Sequence, residues 1–153
     1  MSRPPYIAVV GASQSSEAQT RAAEEVGRGL AAAGAIVITG GRGGVMAAAS
    51  RGAREGGAVV VGFLPGLDRS AANEWVSVAL PTGLGEMRNG LVVRAADAVI
   101  AVGGAYGTLS EIALALAAGT PVVAVDSWAI DGVQVAQTPQ AAVERALELA
   151  RAR

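Results

Sequence analysis

The sequence predicts an α/β fold of Rossmann type, in which a single doubly wound parallel sheet carries helices on both faces. Short apolar runs alternate with segments of helical periodicity along the 153 residues. The 21 glycines cluster at the ends of the apolar runs, where tight turns are needed. Apolar residues form 52% of the chain and aromatic residues only 3%, which suits helices packed closely on a buried sheet. We expect residues 1–153 to form one domain.

The first part of the chain alternates strictly between strands and helices. Ala22, Val26 and Leu30 share one helical face, and Gly34 follows as a residue that commonly ends a helix. The apolar runs on either side are too short for helices; the first is closed by Gly11 and the second by Thr39, Gly40 and Gly41. In order, we expect a strand at Tyr6–Val10, a helix at Glu17–Ala33, a strand at Ala35–Ile38, a helix at Gly44–Glu55 and a strand at Ala58–Leu64.

The rest of the chain repeats this pattern after one longer loop. Pro65–Asn73 is rich in turn-forming residues and is predicted as that loop. In the last helix, Glu144, Arg145, Glu148 and Arg151 are expected to face water. In order, we expect a short strand at Trp75–Leu80, a helix at Leu84–Ala95, a strand at Ala98–Val102, a helix at Leu109–Ala118, a strand at Pro121–Val125, an apolar patch at Val133–Ala136 and a helix at Pro139–Ala150.

This order of elements places the expected ligand site at one edge of the sheet. Crossovers between parallel strands are right-handed, and open α/β sheets bind ligands beyond the carboxyl ends of their strands. The loops after Val10, Ile38 and Val102 are the richest in glycine or hydroxyl residues. We therefore expect these three loops to meet in one crevice.

Composition excludes several classes of function. There is no Cys, His or Lys, so thiolate catalysis, Ser/His/Asp triads, Schiff-base chemistry and the commonest metal ligands are absent, and we expect no metal site. Twelve basic and thirteen acidic residues give a formal charge of −1, which does not favour nucleic-acid or membrane partners. The first residues show no secretory signal and no apolar run approaches a membrane span of about 20 residues, so we expect a cytoplasmic protein.

The first two loops suit a phosphate group. The loop GASQSS begins at Gly11 and offers Ser13, although Ser15 or Ser16 could instead only cap the helix that follows. The loop TGGRGGVM, starting at residue 39, contains four glycines that let backbone N–H groups approach an anion at a helix N-terminus. It matches neither a Walker A loop nor a GxGxxG fingerprint after the first strand. Arg42 in this loop either reaches the phosphate or stays solvated.

The third loop, GGAYGT at residues 103–108, joins a buried strand to a helix. Thr108 and Glu111 have the spacing of a capping box, so Glu111 either caps the helix or faces the ligand. Asp126 follows a later strand, where it either sees the ligand or caps a turn. Trp75 and Trp128 are expected to pack in the fold or at an interface.

Three segments resemble the LOG-like Rossmann family, whose members were once labelled possible lysine decarboxylases. GGAYGTLSE, residues 103–111, resembles the family's PGGxGTxxE motif, and TGGRGGVM resembles its GGxxGxM element. GEMRNG, residues 85–90, resembles the helix with Met-x-x-Arg-Lys that leads into the PGG loop. The resemblance spans almost the whole chain. The old label cannot apply, because a pyridoxal decarboxylase needs a lysine.

The resemblance implies two alternative functions. Enzymes of the family cleave the N-glycosidic bond of nucleoside 5′-monophosphates such as cytokinin ribotides, and their paired Arg and Glu correspond to Arg88 and Glu111 as catalytic residues. Here the motif has Gly103 for Pro, Ala105 for Gly and Asn89 for Lys. Those variations resemble a short branch that includes molybdenum-cofactor carrier proteins, which bind a phosphate-bearing pterin without transforming it.

We therefore expect a binding or carrier protein, with a phosphoribohydrolase as the alternative and a non-catalytic interaction subunit as the third reading. No cofactor is required, although a nucleoside monophosphate or the molybdenum cofactor could be the bound ligand. The family resemblance also implies a homodimer. The expected ligand-binding positions are Gly11, Ser13, Gly40, Gly41, Gly43, Gly44, Met46, Arg88, Gly103, Gly104, Tyr106, Gly107 and Thr108.

Overall fold

A computed structural model describes residues 3–153, and within that range the chain folds into seven strands of one parallel sheet and five α-helices. Two short 3₁₀ turns lie at Arg69–Ala71 and Gly85–Arg88. The elements are β1 (Tyr6–Gly11), α1 (Glu17–Ala32), β2 (Ile36–Thr39), α2 (Val45–Glu55), β3 (Val60–Leu64), β4 (Val78–Pro81), α3 (Asn89–Arg94), β5 (Ala98–Val102), α4 (Tyr106–Ala118), β6 (Val122–Val125), β7 (Gln134–Val135) and α5 (Pro139–Arg151).

The strand order is β4-β3-β2-β1-β5-β6-β7, with every pairing parallel. The chain runs outward from β1 in one direction through β4, then returns to the other side of β1 with β5. The reversal between β1 and β5 is the switch point at which doubly wound sheets bind ligands. The predicted Rossmann-type fold is therefore confirmed.

The sheet has a buried apolar layer on each face because side chains alternate along its strands. Ile7 and Val9 of β1 pack with α1, α2 and α5, whereas Ala8 and Val10 pack with α3 and α4. Strand β5 is buried along its whole length. None of the described helices is long and apolar enough to cross a membrane.

Most element boundaries agree with the prediction to within two or three residues, but two helices differ in ways that affect the site. The helix expected at Leu84–Ala95 is a 3₁₀ turn followed by the short helix α3. Gly85 has φ +61°, a left-handed conformation through which an α-helix cannot continue. The chain then forms the 3₁₀ turn Gly85–Arg88, and the regular helix starts at Asn89.

The helix expected at Leu109–Ala118 begins at Tyr106 instead. Its N-cap is Ala105, whose N–H donates to Thr108 Oγ1 at 3.3 Å. Thr108 is thus the third helical residue rather than the cap. The capping role considered for Glu111 is wrong, because Glu111 lies about one turn beyond the positions that a cap occupies.

Candidate functional site

The three glycine-rich loops meet at the carboxyl edge of the sheet. Val45 N–H at the start of α2 donates to the carbonyl of Ala12 in the first loop at 3.0 Å. Gly11, which ends β1, pairs with Val102, which ends β5 and leads into the third loop. Gly40 of the second loop accepts a hydrogen bond from Arg88 Nη2 at 3.3 Å. The predicted convergence of the loops is therefore present in the structure.

Between these loops lies a cavity of about 270 Å³. It brings together residues from β1, α2, the turn before α3 and the first two turns of α4. Arg88 and Glu111, which are 23 positions apart in the chain, both line it. Its lining residues are Gly11, Ala12, Ser13, Met46, Glu86, Arg88, Asn89, Ala105, Gly107, Thr108 and Glu111.

Arg88 is held by its neighbours with part of its hydrogen-bonding capacity unused. Nη1 donates to the side-chain oxygen of Asn89, and Nη2 donates to the Gly40 carbonyl. Nε is buried and has no hydrogen-bond partner among residues 3–153. Burial lowers the pKa of Arg88, while Glu111 raises it and Arg42 lowers it further. Arginine nevertheless stays charged at neutral pH, so an anion in the cavity would meet a fixed cation.

Asn89 connects Arg88 to α4. Its side-chain NH₂ donates to Ser110 Oγ at 3.1 Å, and the Ser110 hydroxyl donates to the Gly107 carbonyl at 2.7 Å. Asn89 is buried, and its oxygen and nitrogen serve opposite sides of this chain of bonds. The residue that replaces the family's Lys therefore holds the guanidinium in place and adds no second positive charge.

Glu111 is a buried acid without a close partner. Its residue surface is only 6% exposed, and its carboxyl group forms neither a salt bridge nor a hydrogen bond with the other residues of 3–153. Burial raises its pKa from 4.5 to about 7, against the lowering effect of Arg88. A carboxyl group with a pKa near neutrality can donate or accept a proton under ordinary conditions.

This shift predicts that Glu111 destabilises the free protein at neutral and alkaline pH. Because the folded pKa is raised, the contribution of Glu111 to stability is most favourable below about pH 4.5 and is lost as the pH rises through about 7. Above pH 7 the cost is complete and reaches roughly 3 kcal/mol at 1.36 kcal/mol per pKa unit. We expect Glu111→Gln to be more stable than wild type at pH 8, with the difference shrinking toward pH 5. Urea unfolding of both proteins at the two pH values measures this, and a difference independent of pH would contradict it.

Several backbone amides around the cavity are free to bind an anion. The N–H groups of Tyr106, Gly107 and Thr108 open helix α4 and have no acceptor among residues 3–153. The same holds for Met46 and Ala47 at the start of α2. Two helix N-termini thus present unpaired donors toward the same edge of the sheet.

The second loop supplies fewer donors than its glycines suggest. Gly41 N–H donates to Thr39 Oγ1 at 3.0 Å, so this amide is already used. Gly44 has φ +60°, and a Cβ atom there would lie 2.2 Å from the Ala12 carbonyl oxygen. A Cβ at Gly43 would lie 3.3 Å from the Ser13 carbonyl oxygen. Gly43 and Gly44 therefore let the first and second loops approach each other. From the sequence alone, this packing role could not be distinguished from a role in ligand binding.

The third loop divides its residues between two cavities. Gly107 and Thr108 line the cavity with Arg88, whereas Gly103 and Gly104 line a neighbouring one. The Tyr106 residue is 89% exposed and lines neither cavity. Ser16 caps α1, as the structural alternative for the first loop predicted.

Sequence reasoning missed some of the lining residues. Glu86, Asn89 and Ala105 line the cavity with Arg88, and Gln19 and Ser127 line its neighbour. The sequence drew attention to Asn89 only because it stands where the family motif has Lys. The other residues lie in a turn, on a helix face or after a strand, with no local pattern to mark them.

The family model of the SLOG cluster4 family matches residues 4–152. The chain belongs to the SLOG cluster4 family. An uncharacterised protein of Archaeoglobus fulgidus is 41% identical to this SLOG cluster4 protein over 138 residues, covering 90% of this chain and 91% of the relative. The predicted membership of the LOG-like Rossmann group is therefore confirmed.

Solved structures similar to this SLOG cluster4 protein include two proteins that are named for binding or carrying the molybdenum cofactor. The molybdenum cofactor binding protein of Rippkaea orientalis is 33% identical, with a TM-score of 0.91 over 96% of this chain and 98% of that one. The molybdenum cofactor carrier protein of Chlamydomonas reinhardtii is 34% identical, with a TM-score of 0.90 over 99% and 100%. Both similarities cover at least 96% of this chain.

Proposed function

We propose that this chain binds, and serves as a carrier for, a small phosphate-bearing ligand of nucleotide or pterin type. The observation that carries the proposal is the half-buried Arg88 guanidinium, which is held on two sides and has a buried Nε without a partner among residues 3–153. The similarity of the chain to molybdenum cofactor carrier and binding proteins also supports this proposal. The molybdenum cofactor is one ligand of this chemical type.

The phosphate would lie between Arg88 and the free amides of the two helices. A charge-assisted hydrogen bond from arginine is the strongest single contact available to a phosphate in this cavity. Met46, Gly107 and Thr108 add amides at helix N-termini, where the helix dipole favours negative charge. Gly43 and Gly44 let the first and second loops pack closely beside this cavity.

One observation favours an alternative function, hydrolysis of a nucleoside 5′-monophosphate. Glu111 is unpaired, buried beside Arg88 and has a pKa of about 7. With the phosphate on Arg88, Glu111 could take a proton from an attacking water or stabilise positive charge on the ribose. Loss of the family's Lys at position 89 weakens this alternative, because Asn89 supplies no positive charge.

Binding and turnover can be separated in one set of assays. Ribose 5-phosphate, AMP and a cytokinin monophosphate are titrated by calorimetry, and the same mixtures are assayed for free base by chromatography. A carrier binds stoichiometrically without releasing base, and a ligand at 100 times its Kd raises the free energy of unfolding by about 2.7 kcal/mol. Sustained base release that is lost in both Arg88→Ala and Glu111→Ala would overturn the carrier proposal. Absence of binding by all three ligands would favour an interaction subunit.

We also propose that the chain forms a homodimer through the outer faces of α3 and α4. Leu91 on α3 and Leu109 and Leu114 on α4 are each at least 36% exposed. Met87, in the turn before α3, is 78% exposed. Exposed apolar side chains on neighbouring elements are typical of a protein–protein interface.

A further inference from the structure

A second cavity, of about 290 Å³, lies at the carboxyl edge of the sheet on the other side of the third loop. It is lined by residues of α1, the third loop and the segment after β6. Neither cavity by itself reaches the roughly 300–1,000 Å³ of typical small-molecule sites, but the two together do. The lining residues are Gln19, Gly103, Gly104, Asp126, Ser127 and Trp128.

The two cavities are neighbours across a single glycine. A Cβ atom on Gly104 would lie 2.5 Å from Trp128 Cζ3 and 3.3 Å from Thr108 Cβ. Trp128 lines the second cavity and Thr108 lines the first. The two cavities therefore adjoin at Gly104.

The second cavity contains polar groups that the fold leaves unused. Ser127 Oγ is buried without a hydrogen-bond partner among residues 3–153. Gln19 uses its side-chain oxygen to accept from Ser16 N–H at 3.1 Å, which leaves its NH₂ group free. Asp126 is exposed and forms no salt bridge among the described residues. Buried polar atoms in folded proteins are normally paired, so an orphaned hydroxyl marks a position for a ligand or water.

Asp126 is also held in an unusual conformation. Its φ of +50° makes it the one non-glycine residue with positive φ among residues 3–153. Asp and Asn tolerate this region better than other side chains, and such backbone conformations cluster at ligand sites. Asp126 follows the end of β6 and lines the second cavity together with Trp128 and Gln19.

We propose that this second cavity binds the heterocycle of the ligand and prefers a ring with a 2-amino-4-oxo pyrimidine edge, as in guanine nucleotides and pterins. This inference rests on the proposed phosphate site. The carboxylate of Asp126 has two acceptor oxygens, which match the adjacent ring N–H and exocyclic NH₂ of that edge. Gln19 NH₂ and Ser127 Oγ–H can donate to the ring oxygen and nitrogens. Adenine offers a single exocyclic amine next to ring acceptors and does not match.

Trp128 gives the heterocycle a stacking surface. Its residue surface is 37% exposed, and its ring edge lies against the Gly104 backbone. Stacking of a base on an aromatic ring is independent of the edge that the base presents. Trp128 would therefore contribute affinity for any heterocycle, and Asp126 would determine which heterocycle is preferred.

Calorimetry on the full chain tests the proposal with GMP, IMP, AMP, a phosphorylated neopterin and ribose 5-phosphate. We expect GMP and the neopterin phosphate to bind at least about tenfold more tightly than AMP, with IMP, which lacks the 2-amino group, closer to AMP. The tighter binder of these two ligands shows whether the cavity prefers a guanine nucleotide or a pterin. Asparagine tolerates the positive φ as aspartate does and has nearly the same volume. We therefore expect Asp126→Asn to remove the preference for GMP and the neopterin phosphate over AMP, while leaving ribose 5-phosphate binding unchanged.

Fluorescence adds a readout that a structural role would not change. In Trp75→Phe, Trp128 is the remaining tryptophan, and GMP should quench it whereas ribose 5-phosphate should not. Equal affinities for GMP, IMP and AMP, or an equal loss of GMP and ribose 5-phosphate binding in Asp126→Asn, would overturn the inference. Failure of ribose 5-phosphate itself to bind wild type would instead overturn the proposed phosphate site.

Discussion

Arg88→Gln is expected to weaken the binding of ribose 5-phosphate by about 10- to 150-fold. The substitution removes the one arginine that lines the cavity, and a hydrogen bond to a charged group contributes about 1.5–3 kcal/mol. Loss of about 3 kcal/mol corresponds to somewhat more than a hundredfold in Kd. Titration calorimetry at fixed ionic strength measures the change.

Two further variants separate the geometry of Arg88 from its charge. Arg88→Lys keeps a positive charge but cannot reach both Gly40 and Asn89 with a planar fork, so we expect an intermediate loss of affinity. Arg94→Gln removes the same charge from the exposed end of α3 and should change affinity by less than about twofold. Equal losses in Arg88→Gln and Arg94→Gln would mean that only the overall charge matters, which would contradict the proposed site.

Gly27→Ala is expected to destabilise the protein by about 3 kcal/mol, because α1 and α2 contact each other through their backbones. A Cβ at Gly27 would lie 2.2 Å from the Ala49 carbonyl oxygen, and one at Gly52 would lie 2.2 Å from the Glu24 carbonyl oxygen. Backbone atoms cannot move aside as a flexible side chain can, so the helices must separate. For a chain of this size the loss corresponds to a fall in Tm of roughly 6–12 °C.

The matched control is Gly90→Ala in α3. A Cβ at Gly90 would have no atom within 4 Å, so this variant should be neutral or about 0.5–1 kcal/mol more stable, as expected for alanine in a helix. Chemical unfolding of both variants measures the difference. If Gly27→Ala were as stable as wild type, the close contact between α1 and α2 would be refuted.

Local patterns were sufficient for the fold. Periodicity and glycine clusters predicted the order of strands and helices, because burial on a parallel sheet imposes a pattern on every segment. The two errors that matter arose at Gly85 and Ala105. At Gly85 a left-handed residue stops a helix that periodicity alone would extend, and at Ala105 a cap without a polar side chain begins one.

The candidate site was predicted only in part. Arg88 and Glu111 came from the resemblance to a family, and the structure places both on one cavity. The sequence could not show that Glu111 lacks a partner or that Gly41 N–H is already used. Those facts depend on which groups are brought together by elements far apart in the chain.

By itself the sequence determined the α/β class and the edge of the sheet at which the glycine-rich loops gather, because both follow from short-range patterns and from the handedness of parallel crossovers. Only the tertiary structure decided which loop glycines serve packing, how Asn89 orients Arg88, and that Ser127 and Asp126 lie beside the third loop. Hydrogen bonding and desolvation are properties of neighbours in space, and most of these neighbours are far apart in the sequence.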